Sequence, residues 1–136
     1  MSHFSVRFDR TEGPGPRPVR VLTLTGELDA HTAPDFEAAL QACLDGGDAR
    51  LVADGSGLDY VSSAGLGVFM AFVEPARAAG GDLKIAALPE RVFEVFDLLG
   101  FPTVFDMAPT VGAAVAAFDG GPAGASASGA APGGAA

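Results

Sequence analysis

Positive charge is scarce in this chain of 136 residues: Lys and Arg number 8 against 17 Asp and Glu, for a net charge of -9. Such an acidic surface is repelled by phosphate backbones and anionic headgroups. Nucleic acid and membrane are therefore not expected as partners, and a basic protein surface is. Cysteine occurs once, at Cys43. No internal disulfide framework can form, and a reducing compartment, the cytoplasm, is expected. Histidine occurs only at His3 and His31, neither with a second ligand close in sequence, so no metal site is expected. The longest apolar run, 66–73, is far too short to span a bilayer. The opening Met1-Ser2-His3-Phe4 lacks the basic and apolar regions of a signal peptide. No Walker loop or dinucleotide fingerprint occurs. Ser63 does not sit in a G-x-S-x-G elbow, because Val61 stands in place of the first glycine. Neither enzyme activity nor a cofactor is expected.

What the chain does have is a folding pattern. It is 49% hydrophobic and 18% charged, the balance of one globular domain. Phe4, Val6 and Phe8 alternate with polar residues, as in a half-buried strand. A Gly/Pro loop over 13–18 leads to a second strand, Val19 to Leu24, which Gly26 should end. The short connection favours an antiparallel pair. Thr32 and Asp35 have a capping-box-like spacing, with Pro34 in the first turn of a helix. Phe36, Ala39, Leu40, Cys43 and Leu44 make its buried stripe, so Cys43 reads as a core residue. A short apolar strand, Arg50 to Ala53, follows, with a turn expected at Asp54 and Gly55-Ser56-Gly57.

Asp59-Tyr60-Val61-Ser62-Ser63-Ala64-Gly65-Leu66-Gly67 leads into an apolar helix pattern at Leu66, Phe69, Met70 and Val73. That is a helix N-terminus with two hydroxyls at its mouth. The first turn of a helix has N–H groups without intrahelical partners, and a serine there can cap one. A phosphate placed there would meet those groups and the positive end of the helix dipole. Pro75 should kink or end this helix. Leu83, Ile85 and Ala87 form a strand, and Val92, Phe93, Phe96 and Leu99 the buried stripe of the next helix. Thr103-Val104-Phe105 reads as a short edge strand, and Val111, Ala114, Val115 and Phe118 as a last helix. Beyond Asp119 nothing can offset the entropy of ordering, and a flexible tail is expected over 119–136. The order β-β-α-β-α-β-α-(β)-α implies parallel strands joined by crossover helices.

Four pieces of the chain resemble the STAS domain. They are Gly26-Glu27-Leu28-Asp29, the Asp54 turn, Val61-Ser62-Ser63-Ala64-Gly65-Leu66-Gly67, and the run from Phe93 to Phe101. More narrowly, the chain resembles the bacterial anti-sigma factor antagonists. The resemblance implies a single α/β domain over 1–118, with a mixed sheet of four or five strands and helices mainly on one face. It also implies a partner switch. The unphosphorylated antagonist binds an anti-sigma factor that is a serine/threonine kinase, and a sigma factor is released. Phosphorylation at the start of the helix after the third strand ends binding, and a serine phosphatase resets it. The family pattern often reads Asp-Ser-Ser-Gly or Asp-Ser-Thr-Gly, where this chain has Ser62-Ser63-Ala64-Gly65. Ser63 is then the first choice of phosphoacceptor and Ser62 the second. Glu27, Asp29, His31 and Asp59, with Ser62, Ser63, Ala64 and Gly65, are the implied partner-binding residues. Two other readings stand beside this one. One is a STAS scaffold or transport-complex subunit without a phospho-switch, and the other is a small-ligand sensor using the strand-end loops.

Overall fold

The computed structural model describes residues 4–11 and 18–118. The loop expected over 13–18, apart from Pro18, and the tail expected over 119–136 lie outside the described residues. Strands β1 (Phe4–Thr11) and β2 (Val19–Leu28) open the fold, followed by α1 (Ala33–Asp45) and β3 (Arg50–Val61). Then come α2 (Ser63–Ala78), β4 (Asp82–Ala86), α3 (Glu90–Leu98), a 3-10 turn (Phe101–Thr103), β5 (Met107–Ala108) and α4 (Val111–Ala116). The five strands lie in sequence order. β1 pairs antiparallel with β2, and every later neighbour is parallel, as crossover helices require.

The sheet is covered unequally. On one face Leu22, Leu24, Leu51 and Leu83 pack beneath α1, α2 and α3 in the larger core. Phe69 of α2 joins the three helices: its ring meets Phe36 of α1 at 4.9 Å and Phe96 of α3 at 5.5 Å, both edge-on. On the other face Val19, Val21, Val52 and Ala86 pack against Ala114 and Phe118. Two buried cations flank Phe118, Arg50 at 5.1 Å and Lys84 at 4.7 Å from the ring centre. Lys84 also donates to Asp106 at 2.7 Å, so its buried charge is paired. The mixed five-stranded sheet with helices mainly on one face matches the expectation.

Several local expectations do not hold. β3 does not turn at Asp54 but continues to Val61, through Gly55, Ser56 and Gly57. These glycines serve close packing: a Cβ at Gly57 would meet the Leu24 carbonyl oxygen at 2.9 Å, and one at Gly55 would run into the Leu88 side chain. β2 likewise passes Gly26, at a φ of 101°, and reaches Leu28. The β2–β3 register shifts on either side of that segment, as at a bulge. Pro75 does not end α2, which runs three residues further. Its ring is exposed near the last turn, where a single lost hydrogen bond falls on the solvent side. Thr103-Val104-Phe105 is not a strand. Phe105 N–H closes on the Phe101 carbonyl at 2.8 Å, and the edge strand forms two residues later.

Helix α3 buries Val92 and Phe96 but not the whole expected stripe. Phe93 is 37% and Leu99 57% exposed, and Leu98 is 85% exposed. The helix turns one narrow face to the core and leaves its other apolar residues outward. Met70 of α2 is also outward. Cys43 is buried as expected, and that burial pushes its thiol pKa up, against the lowering influence of Arg20.

Candidate functional site

Two strand-to-helix crossings lie side by side at the same end of the sheet. The parallel register sets Glu27 beside Tyr60 and Leu28 beside Val61. Ser62 N–H then donates to the Leu28 carbonyl at 2.9 Å and ties the crossings together.

The first crossing, β2 to α1, is closed by its own side chains. Asp29 Oδ1 accepts from His31 N–H at 2.9 Å and Thr32 N–H at 3.1 Å, a self-bonded turn. The buried Thr32 hydroxyl donates to the Glu27 carbonyl at 2.7 Å and accepts from Asp29 N–H at 2.9 Å. Thr32 therefore caps nothing in α1 by its side chain, and the capping box read from Thr32 and Asp35 is not made. The hydroxyl is turned back into the crossing instead. His31 is exposed, and Glu27 and Asp29 are half-buried.

The second crossing, β3 to α2, is open. Ser62 is the N-cap residue in extended backbone, φ -93° and ψ 175°, and its carbonyl accepts from Leu66 N–H at 3.0 Å. The cap expected from its side chain is absent, and its Oγ is buried with no partner among the described residues. Ser63, the first residue of α2, is exposed; Ala64 is half-buried and packs on the larger core. Gly65 is buried, and a Cβ there would meet Leu28 Cγ at 2.7 Å and the Leu28 carbonyl oxygen at 3.0 Å. The glycine thus lets the first turn of α2 press onto the end of β2. No acidic residue lies in that turn to offset the helix dipole.

Around this mouth the structure adds residues that sequence reasoning did not single out. Tyr60 is 53% exposed beside it. Gly67, Met70 and Glu74 continue the exposed face of α2 from Ser63. Their spacing of four, three and four residues is the signal that could have found them. Asp59 approaches Arg91 of α3 at 3.7 Å, but both side chains are exposed and such a pair contributes little. Among the described residues no group of three His, Cys, Asp or Glu could hold a metal ion, and no helix is long and apolar enough to cross a membrane. The arrangement offers one accessible hydroxyl at a helix mouth, with polar groups on its rim.

Comparison with known proteins agrees with this fold. The family model described as "Mlab, STAS domain" matches residues 16–107. BtrV of Bordetella bronchiseptica, named for anti-sigma factor antagonism, is 39% identical over 98 residues, which is 72% of this chain and 84% of BtrV. The crystal structure of an anti-sigma factor antagonist from Mycobacterium paratuberculosis aligns with a TM-score of 0.72 at 26% identity, covering 82% of this chain and 91% of that one. The antagonist SpoIIAA in its unphosphorylated form shares the fold, with a TM-score of 0.65 at 20% identity, covering 79% of this chain and 90% of that one. Its phosphorylated form, from Bacillus, aligns at 0.60 and 18% identity over 79% of this chain and 93% of that one. The chain belongs to the STAS domain family, in the group of anti-sigma factor antagonists.

Proposed function

We propose that this chain is an anti-sigma factor antagonist switched by phosphorylation at Ser63. The unmodified form binds an anti-sigma factor that is also a serine/threonine kinase, and a sigma factor is thereby released. The observation that carries the choice of acceptor is the contrast within one dipeptide: Ser63 is exposed at the first position of α2, whereas the Ser62 hydroxyl is buried. A kinase must bring the acceptor oxygen in line with its nucleotide, and it supplies the metal and base itself. An exposed hydroxyl permits that approach.

Phosphorylation adds about 1.5 to 2 negative charges at the rim of a protein-binding surface. A charge of that size must be desolvated or repelled in a close interface, and binding is lost. Glu27, Asp29, His31 and Asp59 form the rim with Ser62 to Gly65, and the carboxylates draw a basic partner and raise its on-rate. A net charge of -9 favours the same kind of partner. The Bacillus fold relative SpoIIAA has been solved both phosphorylated and unphosphorylated, which supports a switch on this scaffold. A serine phosphatase completes the cycle.

The test is incubation with the cognate kinase and ATP, then mass spectrometry of the peptide from Tyr60 to Arg77. One phosphate at Ser63 is expected. Ser63→Ala should stay bound to the kinase, and Ser63→Asp should bind less well. Modification at Ser62 would move the site and keep the mechanism. No modification anywhere, with binding unaffected by either substitution, would leave a scaffold without a switch.

A further inference from the structure

The two edges of the sheet are built differently. One edge strand, β5, pairs over only two residues, Met107 and Ala108, as protected edges commonly do. The other, β1, pairs with β2 at every one of its eight positions and is the end of the sheet among the described residues. Its outer side therefore presents a long row of N–H and C=O groups that β2 does not use.

Both faces of β1 have something to offer a second strand. Toward α1, an open, mostly apolar groove runs along Phe4, Val6 and Phe8, with Ala38, Ala39 and Ala42, together with Asp35, as its other wall. Those alanines are too short to cover the strand, and Phe8 stays 40% exposed. Arg20 lies over the Phe8 ring at 5.4 Å and holds it in place. On the opposite face Arg7 and Asp9 are exposed and form an ion pair at 3.4 Å.

We propose that the β1 edge is a self-association surface, on which a second copy of this chain adds its own β1 antiparallel about a two-fold axis at Phe8. The charges select that register. With Phe8 opposite Phe8, Arg7 of each copy faces Asp9 of the other, so both opposite-charge pairs form across the axis. A pairing centred on Arg7 or on Asp9 sets like charges face to face. One centred on Val6 puts Arg7 opposite Ser5 and leaves Asp9 without its complement. Only a strand with this pattern read backwards satisfies both charges, and this chain supplies it. The two-fold axis runs through the sheet, so both copies keep α1 on the same side. Their grooves then join, and the two Phe8 rings close the join, as cross-strand aromatic pairs do. The apolar groove and the edge hydrogen bonds hold the pair, while the exposed ion pairs set its register. β2 separates this edge from β3 and Ser63. The inference is independent of the phospho-switch.

Sedimentation equilibrium of the full chain between about 1 μM and about 1 mM tests it. A reversible monomer–dimer equilibrium is expected in that range. Arg7→Asp or Asp9→Arg alone should weaken the dimer about tenfold or more, because each places like charges opposite one another. The double variant Arg7→Asp with Asp9→Arg should recover it, since the swapped charges match again. Register is read separately by oxidation. Phe8→Cys should form a disulfide-linked dimer, because directly opposed residues lie within bridging distance. Phe4→Cys, far from the axis, should not, and buried Cys43 does not compete. A monomer throughout the range overturns the proposal. So does a dimer indifferent to Arg7→Asp, or one that Phe4→Cys cross-links as readily as Phe8→Cys.

Discussion

The two strand-to-helix crossings share a sheet end, a parallel register and a hydroxyl residue immediately before the helix, Thr32 in one and Ser62 in the other. They spend those hydroxyls in opposite ways. Thr32 is bonded in both directions, to the Glu27 carbonyl and the Asp29 N–H, and Asp29 closes the rest of the turn. Ser62 is bonded through its backbone only, and its Oγ has no partner among the described residues. The first crossing is a brace. The second is held by Leu28 and Gly65 from beneath and left open above, where Ser63 stands exposed. The modification proposed at Ser63 draws on that combination: a backbone held in place and an exposed hydroxyl.

The contrast is broken most severely at Thr32. Thr32→Val keeps the shape but takes the hydroxyl from a part-buried carbonyl and a part-buried N–H. A loss of about 2 to 4 kcal/mol is expected in urea unfolding, at an unchanged m-value. A loss below about 0.5 kcal/mol would mean that water replaces the hydroxyl and the brace is not real. Gly65→Ala comes next. The added methyl must displace Leu28, which can yield, or its carbonyl, which is tied to Ser62. A cost of about 1 to 3 kcal/mol follows. Because the mouth of α2 shifts with it, phosphorylation of Ser63 should slow as well, measured by initial rates with the same kinase.

The frame of the molecule was readable in the sequence, because alternation and helical spacing report burial directly. Phe4, Val6 and Phe8 mark β1, and Phe36, Leu40 and Cys43 mark the inner face of α1. What could not be read depends on neighbours far along the chain. Gly55 and Gly57 look like a turn until Leu88 and the Leu24 carbonyl are set against them. Phe93 and Leu99 fit a buried stripe by spacing, but among the described residues no other element covers them from outside. The resemblance pointed to Ser62-Ser63-Ala64-Gly65 and ranked Ser63 above Ser62. It could not foresee the burial that sets the two serines apart, which follows from the extended backbone of one and the helical position of the next. Tyr60 carried no such signal, and only its exposure brings it to the rim; Met70 was read as part of the buried stripe although its spacing from Ser63 also fits the exposed face.

The smallest effects on stability separate the two serines most cleanly. A Ser that caps a helix costs about 0.5 to 2 kcal/mol when replaced by alanine. Ser62 does not cap, and its Oγ is buried with no partner among the described residues. Ser62→Ala should therefore leave stability unchanged or raise it by up to about 1 kcal/mol; a loss in the capping range would show that the hydroxyl does bond the first turn in solution. Ser63→Ala removes an exposed hydroxyl, so its stability should stay within about 0.5 kcal/mol of the parent. Its effect should lie entirely in the kinase reaction, where the phosphate on the Tyr60 to Arg77 peptide should vanish while Ser62→Ala keeps it. The pair forms an internal control, since both variants delete the same oxygen one residue apart. Loss of phosphate in both would point to a mouth whose shape needs Ser62. Loss in Ser62→Ala alone would mean that the helix start opens to expose the buried hydroxyl, and would reverse the choice made from its burial.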